Sequence, residues 1–160
     1  MSLCEKWRSS KVIRRAKIAD AADIQTLVNS FAAKDAMLPR ALSTIYENIR
    51  DFYVIDEAGS VVGCCALHVT WGDLAEVKSL AVDENTQGKG YGKLLVKECL
   101  GDARGLGVPR AFALTYIPDF FEKLGFERVD KATLPHKIWS ECINCPKFPD
   151  CGEEAVAIEL

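Results

Sequence analysis

Residues 78–96 read K-S-L-A-V-D-E-N-T-Q-G-K-G-Y-G-K-L-L-V. An apolar run ending at Leu80-Ala81-Val82 meets a polar segment, Asp83 to Gly90, and a second apolar pattern follows. In that second pattern Leu94, Leu95, Cys99, Leu100 and Ala103 recur at helical spacing. Strand, glycine-rich loop and helix in this order aim several backbone N–H groups at one place. The helix N-terminus adds positive potential there, which suits a phosphate or pyrophosphate. Lys89 and Lys93 reinforce that charge. The spacing excludes two familiar phosphate loops. A Walker loop starting at Gly88 requires Gly-Lys where the chain has Lys93-Leu94, and a dinucleotide fingerprint requires glycine at Lys93 or Leu95. Taken alone, the loop is also compatible with a plain glycine-rich turn.

Outward from the loop, the pattern predicts alternating strands and helices. Val12 to Ile18 reads as a strand, and Asp20 as the cap of a helix carrying Ile24, Leu27, Val28 and Phe31. Met37-Leu38-Pro39-Arg40 interrupts, and Ser43 opens a second short helix with Ile45, Tyr46 and Ile49 on one face. Phe52–Ile55 and Val61–Val69 read as strands joined by a turn over Asp56 to Ser60, and Leu74–Val82 as the next strand. Beyond the loop helix, which Gly105-Leu106-Gly107 stops, come a strand over Arg110–Tyr116 and a short helix from Pro118 through Leu124. Strands over Phe126–Val129 and Ala155–Ile158 follow. There are no repeats, low-complexity runs or linkers, so residues 1–160 are expected to form one mixed α/β domain.

Composition narrows the function. The 160 residues are 49% hydrophobic and 27% charged, enough to build a buried core. A net charge of −3 argues against a nucleic-acid partner, which calls for a basic surplus. The N-terminal residues lack the apolar core of a signal peptide, and no apolar run reaches membrane-spanning length, so a cytoplasmic protein with reduced thiols is expected. Of seven cysteines, Cys64, Cys65 and Cys99 fall on apolar positions and read as small core residues. Cys142, Cys145 and Cys151 lie in an irregular excursion, residues 130–154, between the last two strands. With His136 they form a candidate zinc site, but the second ligand pair of a closed site is missing. Packed thiols are the favoured reading, with structural zinc and a redox pair as alternatives.

The spacing Gln87-x-x-Gly90-x-Gly92 after a strand ending Leu80-Ala81-Val82 resembles the acetyl-CoA loop of the GNAT family of N-acetyltransferases. Asp119 to Phe126 resembles that family's late helix and strand entry, and Ile13 to Asp23 its opening strand and helix. Among GNAT enzymes the chain is most similar to the short, stand-alone amino-acid acetyltransferases that make N-acetylglutamate. Met37 to Arg40, Glu76 to Val82, Ala113 to Tyr116 and Leu134 to Trp139 carry that likeness. The resemblance implies a central, mostly antiparallel twisted sheet of six to seven strands flanked by about four helices. It also implies acetyl-CoA as cosubstrate, a small amino-acid acceptor and a homodimer, beside the expectation from charge and hydropathy that neither nucleic acid nor membrane is a partner.

It also implies roles. Backbone groups of Leu80, Ala81 and Val82 would hold the pantetheine arm and polarise the thioester carbonyl. Gln87, Gly88, Lys89, Gly90, Tyr91, Gly92 and Lys93 would take the pyrophosphate end. An α-ammonium needs a base, and Glu76, one strand step ahead of the cofactor segment, is the candidate. Many relatives carry tyrosine as general acid where this chain has Phe121, which leaves the acid unassigned and Tyr116 as a weak substitute. A glutamate acceptor brings two carboxylates, for which Arg40, then Lys78, then Lys131 are the candidate cations. Acetyl transfer to another small amine, to glutamine or to a protein N-terminus is the nearest alternative. A non-catalytic acyl-CoA-binding module is the alternative from another class.

Overall fold

The computed structural model describes residues 11–34, 39–135 and 152–160. In chain order the elements are β1 (Lys11–Arg15), α1 (Ala21–Ala32), α2 (Leu42–Glu47), β2 (Phe52–Glu57), β3 (Ser60–Trp71), β4 (Leu74–Val82), α3 (Tyr91–Leu106), β5 (Arg110–Thr115), α4 (Pro118–Glu122), β6 (Glu127–Val129) and β7 (Glu154–Glu159). The strands form one seven-stranded sheet in the order β1-β2-β3-β4-β5-β7-β6. β4 and β5 run parallel, with α3 as the crossover between them, and the other neighbours are antiparallel.

The period-2 alternation of the central strands sends their side chains into two cores. Tyr53, Ile55, Cys65, Leu67 and Val77 pack with Leu95, Val96, Cys99 and Ala103 of α3 on one face. Phe52, Val54, Cys64 and Ala66 pack with Ile24, Val28 and Ile45 of α1 and α2 on the other. A third cluster joins Leu74, Phe112, Leu134, Ala155 and Ala157 beside the closing strands. Phe112 is fully buried there. Phe112→Ala should therefore destabilise the fold by about 3–5 kcal/mol. A urea midpoint that falls with an unchanged slope is the expected result; an unmoved midpoint would show that the third cluster does not hold the sheet together.

Several expected boundaries shift for local reasons. The first strand ends at Arg15 rather than Ile18, because residues 18–20 form a 3-10 turn. Asp20 does not cap α1 with its side chain. Its carboxylate is gripped by Arg14 at 2.7 and 3.0 Å and accepts the Lys17 N–H at 2.7 Å. The Arg14 hydrogen bond is the main reason the Asp20 carboxyl sits below its usual pKa. Ser43 lies inside α2, which starts at Leu42. Tyr46 is exposed, and Ile49 belongs to a following 3-10 turn. Gly105 and Leu106 are helical, and Gly107 alone takes the left-handed conformation that ends α3. The β2–β3 turn narrows to Ala58-Gly59, both at positive φ (54° and 87°), the geometry that suits the twist of a two-residue hairpin.

Two irregularities open the sheet. From Cys64↔Ala81 to Ala66↔Lys78, two steps on β3 face three on β4, so Ser79 and Leu80 together oppose Cys65 in a β-bulge. Ser79 stands at φ 55°, outside the extended region. In the parallel pair, the register joins Ala75 to Ala111 and Glu76 to Phe112. Past those residues the walls of a cleft form between the two strands.

A candidate acetyl-transfer cleft

That cleft is a cavity of about 660 Å³. One wall is the run Glu76 to Val82 of β4, and the other is Leu114, Thr115, Tyr116 and Ile117 at the end of β5. From Glu76 to Val82 an extended strand covers roughly 20 Å, so the two ends of the β4 wall are well separated.

The loop following β4 builds one end. Asp83 ends the ladder by donating its N–H across to the Val62 carbonyl, and its side chain accepts the Asn85 N–H to close the turn. Gln87 braces the loop by donating Nε2 to the Val82 carbonyl at 3.1 Å. Gly88 and Gly90 then take φ of 84° and 79°, a conformation that side-chain-bearing residues rarely adopt. Gly90 is the left-handed cap of α3, so the N–H groups of the first helical turn open toward the cavity. Gly88, Gly90, Tyr91, Gly92 and Lys93 all line it. A Cβ on Gly92 would stand 3.3 Å from the Phe120 ring, so glycine lets α3 approach α4 here.

Lys89 behaves differently from its neighbours. Its Nζ lies 3.4 Å from Glu57 Oε1, and it does not appear among the residues lining the cavity. Glu57 also accepts the Tyr91 hydroxyl at 2.5 Å, and this bond, with help from Lys89, holds its carboxyl below the ordinary range. The end of β2 thereby fastens the first residue of α3.

The middle of the cavity is apolar, with Val77, Leu80 and Val82 across from Leu114, Phe120 and Phe121. Phe121 is buried and meets Phe120 and Phe126 edge-on, at centroid distances of 5.2 and 5.1 Å. Arg128 ties this part of the wall to the sheet through Asp119 (2.6 Å), Glu154 (2.7 Å) and Glu122.

Glu76, Lys78, Arg40, Tyr116, Phe31 and Glu153 supply the remaining lining. Arg40 comes from the loop between α1 and α2, and its backbone is clamped. Its N–H donates to Asn29 Oδ1 at 3.0 Å, and its carbonyl accepts from Asn29 Nδ2 and Gln25 Nε2, each at 3.4 Å. Lys131 sits on a 3-10 turn after β6 and is not part of the lining. Phe31 reads from the sequence only as an apolar helix position, and Asn29 and Glu153 are not singled out there. Asn29 bears on the site through its hydrogen bonds to the Arg40 backbone, 11 residues on.

The core cysteines stand apart from this chemistry. Cys64, Cys65 and Cys99 are fully buried. Burial pushes the Cys64 thiol up to about 12. The hydrogen bond with Cys99, then burial, pushes Cys65 up as well. Such thiols stay protonated and are poor nucleophiles. His136, Cys142, Cys145 and Cys151 lie outside the described residues. Among the described residues no group of three or more His, Cys, Asp or Glu side chains is placed to hold a metal. No helix among them is long and apolar enough to cross a membrane.

Residues 48–128 match the acetyltransferase (GNAT) domain. The chain belongs to the GNAT acetyltransferase family. This acetyltransferase is 41% identical over 148 residues to an uncharacterized N-acetyltransferase of Chlorobaculum tepidum, covering 92% of this chain and 96% of that one. It is 38% identical over 133 residues to an amino-acid acetyltransferase of Mycobacterium tuberculosis, covering 81% and 76% of the two chains. Its fold superposes with a TM-score of 0.86 on the N-acetylglutamate synthase of Neisseria gonorrhoeae, solved with coenzyme A and N-acetyl-glutamate. That match is 25% identical and covers 95% of this GNAT chain and 35% of the synthase. The expected mixed, mostly antiparallel sheet with flanking helices is thus the fold observed.

Proposed function

We propose that this acetyltransferase moves an acetyl group from acetyl-CoA directly to the α-amine of an amino acid, L-glutamate before others, as the first step of arginine biosynthesis. The observation that carries the reading is that one cavity joins a glycine-rich helix N-terminus to Glu76, Arg40 and Lys78. The amino-acid acetyltransferase among its relatives and the N-acetyl-glutamate held by its structural neighbour support the choice of acceptor.

The residues present fit acetyl-CoA. The open N–H groups at Gly88, Gly90, Gly92 and Lys93 suit a pyrophosphate, and the apolar middle of the cavity suits a pantetheine arm. The cosubstrate brings an activated thioester carbonyl. The chain supplies the rest. The bulge at Ser79 turns the backbone of Leu80, Ala81 and Val82, and an N–H fixed toward developing negative charge contributes several kcal/mol in a water-poor cleft. Glu76 takes the proton from the incoming ammonium, directly or through water. Arg40 and Lys78 hold the acceptor's carboxylates, with Arg40 offering the bidentate fork. Lys131 and the Lys89 side chain drop behind these, because neither lines the cavity. Tyr116, which does, is the candidate hydroxyl for the departing sulfur, and a thiolate is in any case a tolerable leaving group. Direct transfer is favoured because Cys64, Cys65 and Cys99 are buried and none of them lines the cavity.

Release of free thiol from acetyl-CoA, followed with and without L-glutamate, tests the reading. Turnover is expected only with the amino acid present. Tight coenzyme A binding with no release stimulated by any amino acid would leave an acyl-CoA-binding module instead.

A further inference from the structure

His68 is absorbed by neither the core nor the cavity lining. The β3–β4 register sets His68 opposite Glu76, and directly opposed residues on one face bring their Cβ atoms to roughly 4.5–5.5 Å. Both sit on the same face: their neighbours Leu67 and Val77 point into the core under α3, so alternation turns His68 and Glu76 the other way. On the far side of His68, Asp51 closes the turn that precedes β2. Its Oδ2 lies 2.7 Å from His68 Nδ1. A row of three ionisable side chains, Asp51, His68 and Glu76, therefore crosses the sheet from a partly exposed surface to the cavity. The His68 and Asp51 side chains are 41% and 29% exposed, which leaves the pair open to protons from solvent.

We infer that Asp51 and His68 are a positioning pair for Glu76. Asp51 fixes the imidazole, and the imidazolium charge keeps Glu76 a carboxylate toward the acidic end of the working range. The inference rests on the reading of Glu76 as the base.

The charges around His68 favour this arrangement. The hydrogen bond to Asp51 raises the His68 pKa most, and the charges of Asp51 and Glu76 add to it. Desolvation and Lys78, two residues along β4 from Glu76, oppose it. Arg40, Lys78 and Glu153 share the cavity with Glu76, so His68 is one of several charges acting on that carboxylate. Removing a cation beside a carboxylate raises its pKa, so the acidic limb of the pH–rate profile should move upward.

The test is the pH dependence of kcat/KM for the full chain and four variants. His68→Gln should move the acidic limb up by about one pH unit. Below the limb this is a loss of up to about 10-fold, with far less change on the alkaline side. Asp51→Asn should move the limb in the same direction by less, since the imidazole is retained but no longer held charged. His68→Lys, which keeps a cation, should restore much of the original position. Glu76→Gln separates the two claims. An acidic limb that stays at its original pH in Glu76→Gln removes the base and this inference with it. A limb displaced there, toward the titration of the acceptor amine, but unmoved in both His68→Gln and Asp51→Asn overturns the positioning pair alone, even if those variants unfold at lower urea.

Discussion

Glu76→Gln should lower kcat/KM by about 10²–10⁴-fold, the usual contribution of a positioned general base. The loss should be deepest at low pH. There the acceptor amine is almost wholly protonated, and a side chain that can take the proton matters most. As pH rises and the free amine becomes abundant, the variant should close part of the gap. Glutamine matches glutamate in size, and position 76 is part of the cavity wall rather than of the three apolar clusters. The variant should therefore fold, and its urea midpoint provides the control. The Michaelis constant for acetyl-CoA should stay near its original value, since the glycine-rich loop lies at the opposite end of β4. A pH–rate profile identical to that of the unaltered enzyme would remove Glu76 from the mechanism.

Arg40→Ala should raise the Michaelis constant for the amino acid by about 10–100-fold, the worth of a charge-assisted hydrogen bond lost from a cleft. Asn29 and Gln25 hold the Arg40 backbone rather than its side chain, so the loop between α1 and α2 should keep its place when the guanidinium goes. The effect should fall on the acceptor and spare acetyl-CoA. Arg40→Lys should recover part of the affinity but not the bidentate geometry. An unchanged Michaelis constant for the amino acid in Arg40→Ala would show that Arg40 is not its carboxylate partner.

The glycine-rich end of the cleft was largely legible in the sequence, because its features are local. Glycines at fixed spacing, a preceding apolar strand and a following apolar helix lie within 19 residues, and backbone conformation there follows from residue type. The order of strands and helices was legible for the same reason. What escaped depends on contacts across the chain. Asp20 reads as a helix cap until Arg14 on the neighbouring strand claims both its oxygens. Lys89 reads as a phosphate ligand until Glu57, 32 residues earlier, turns it aside. The bulge at Ser79 leaves no mark in the alternation, since one extra residue is indistinguishable from a regular strand without its partner. Asn29, Glu153 and His68 owe their places to register and to packing between elements. The stretch with Cys142, Cys145 and Cys151, conspicuous as sequence, lies outside the described residues.

The central claim is that the cleft selects an acidic amino acid as acetyl acceptor. The most direct measurement sets L-glutamate beside L-glutamine, L-aspartate and a short peptide with a free N-terminus, each with acetyl-CoA, and reads free thiol together with the acetylated product. The highest kcat/KM is predicted for L-glutamate, with N-acetylglutamate formed in step with thiol. A peptide or a neutral amino acid that outpaces glutamate would contradict the account.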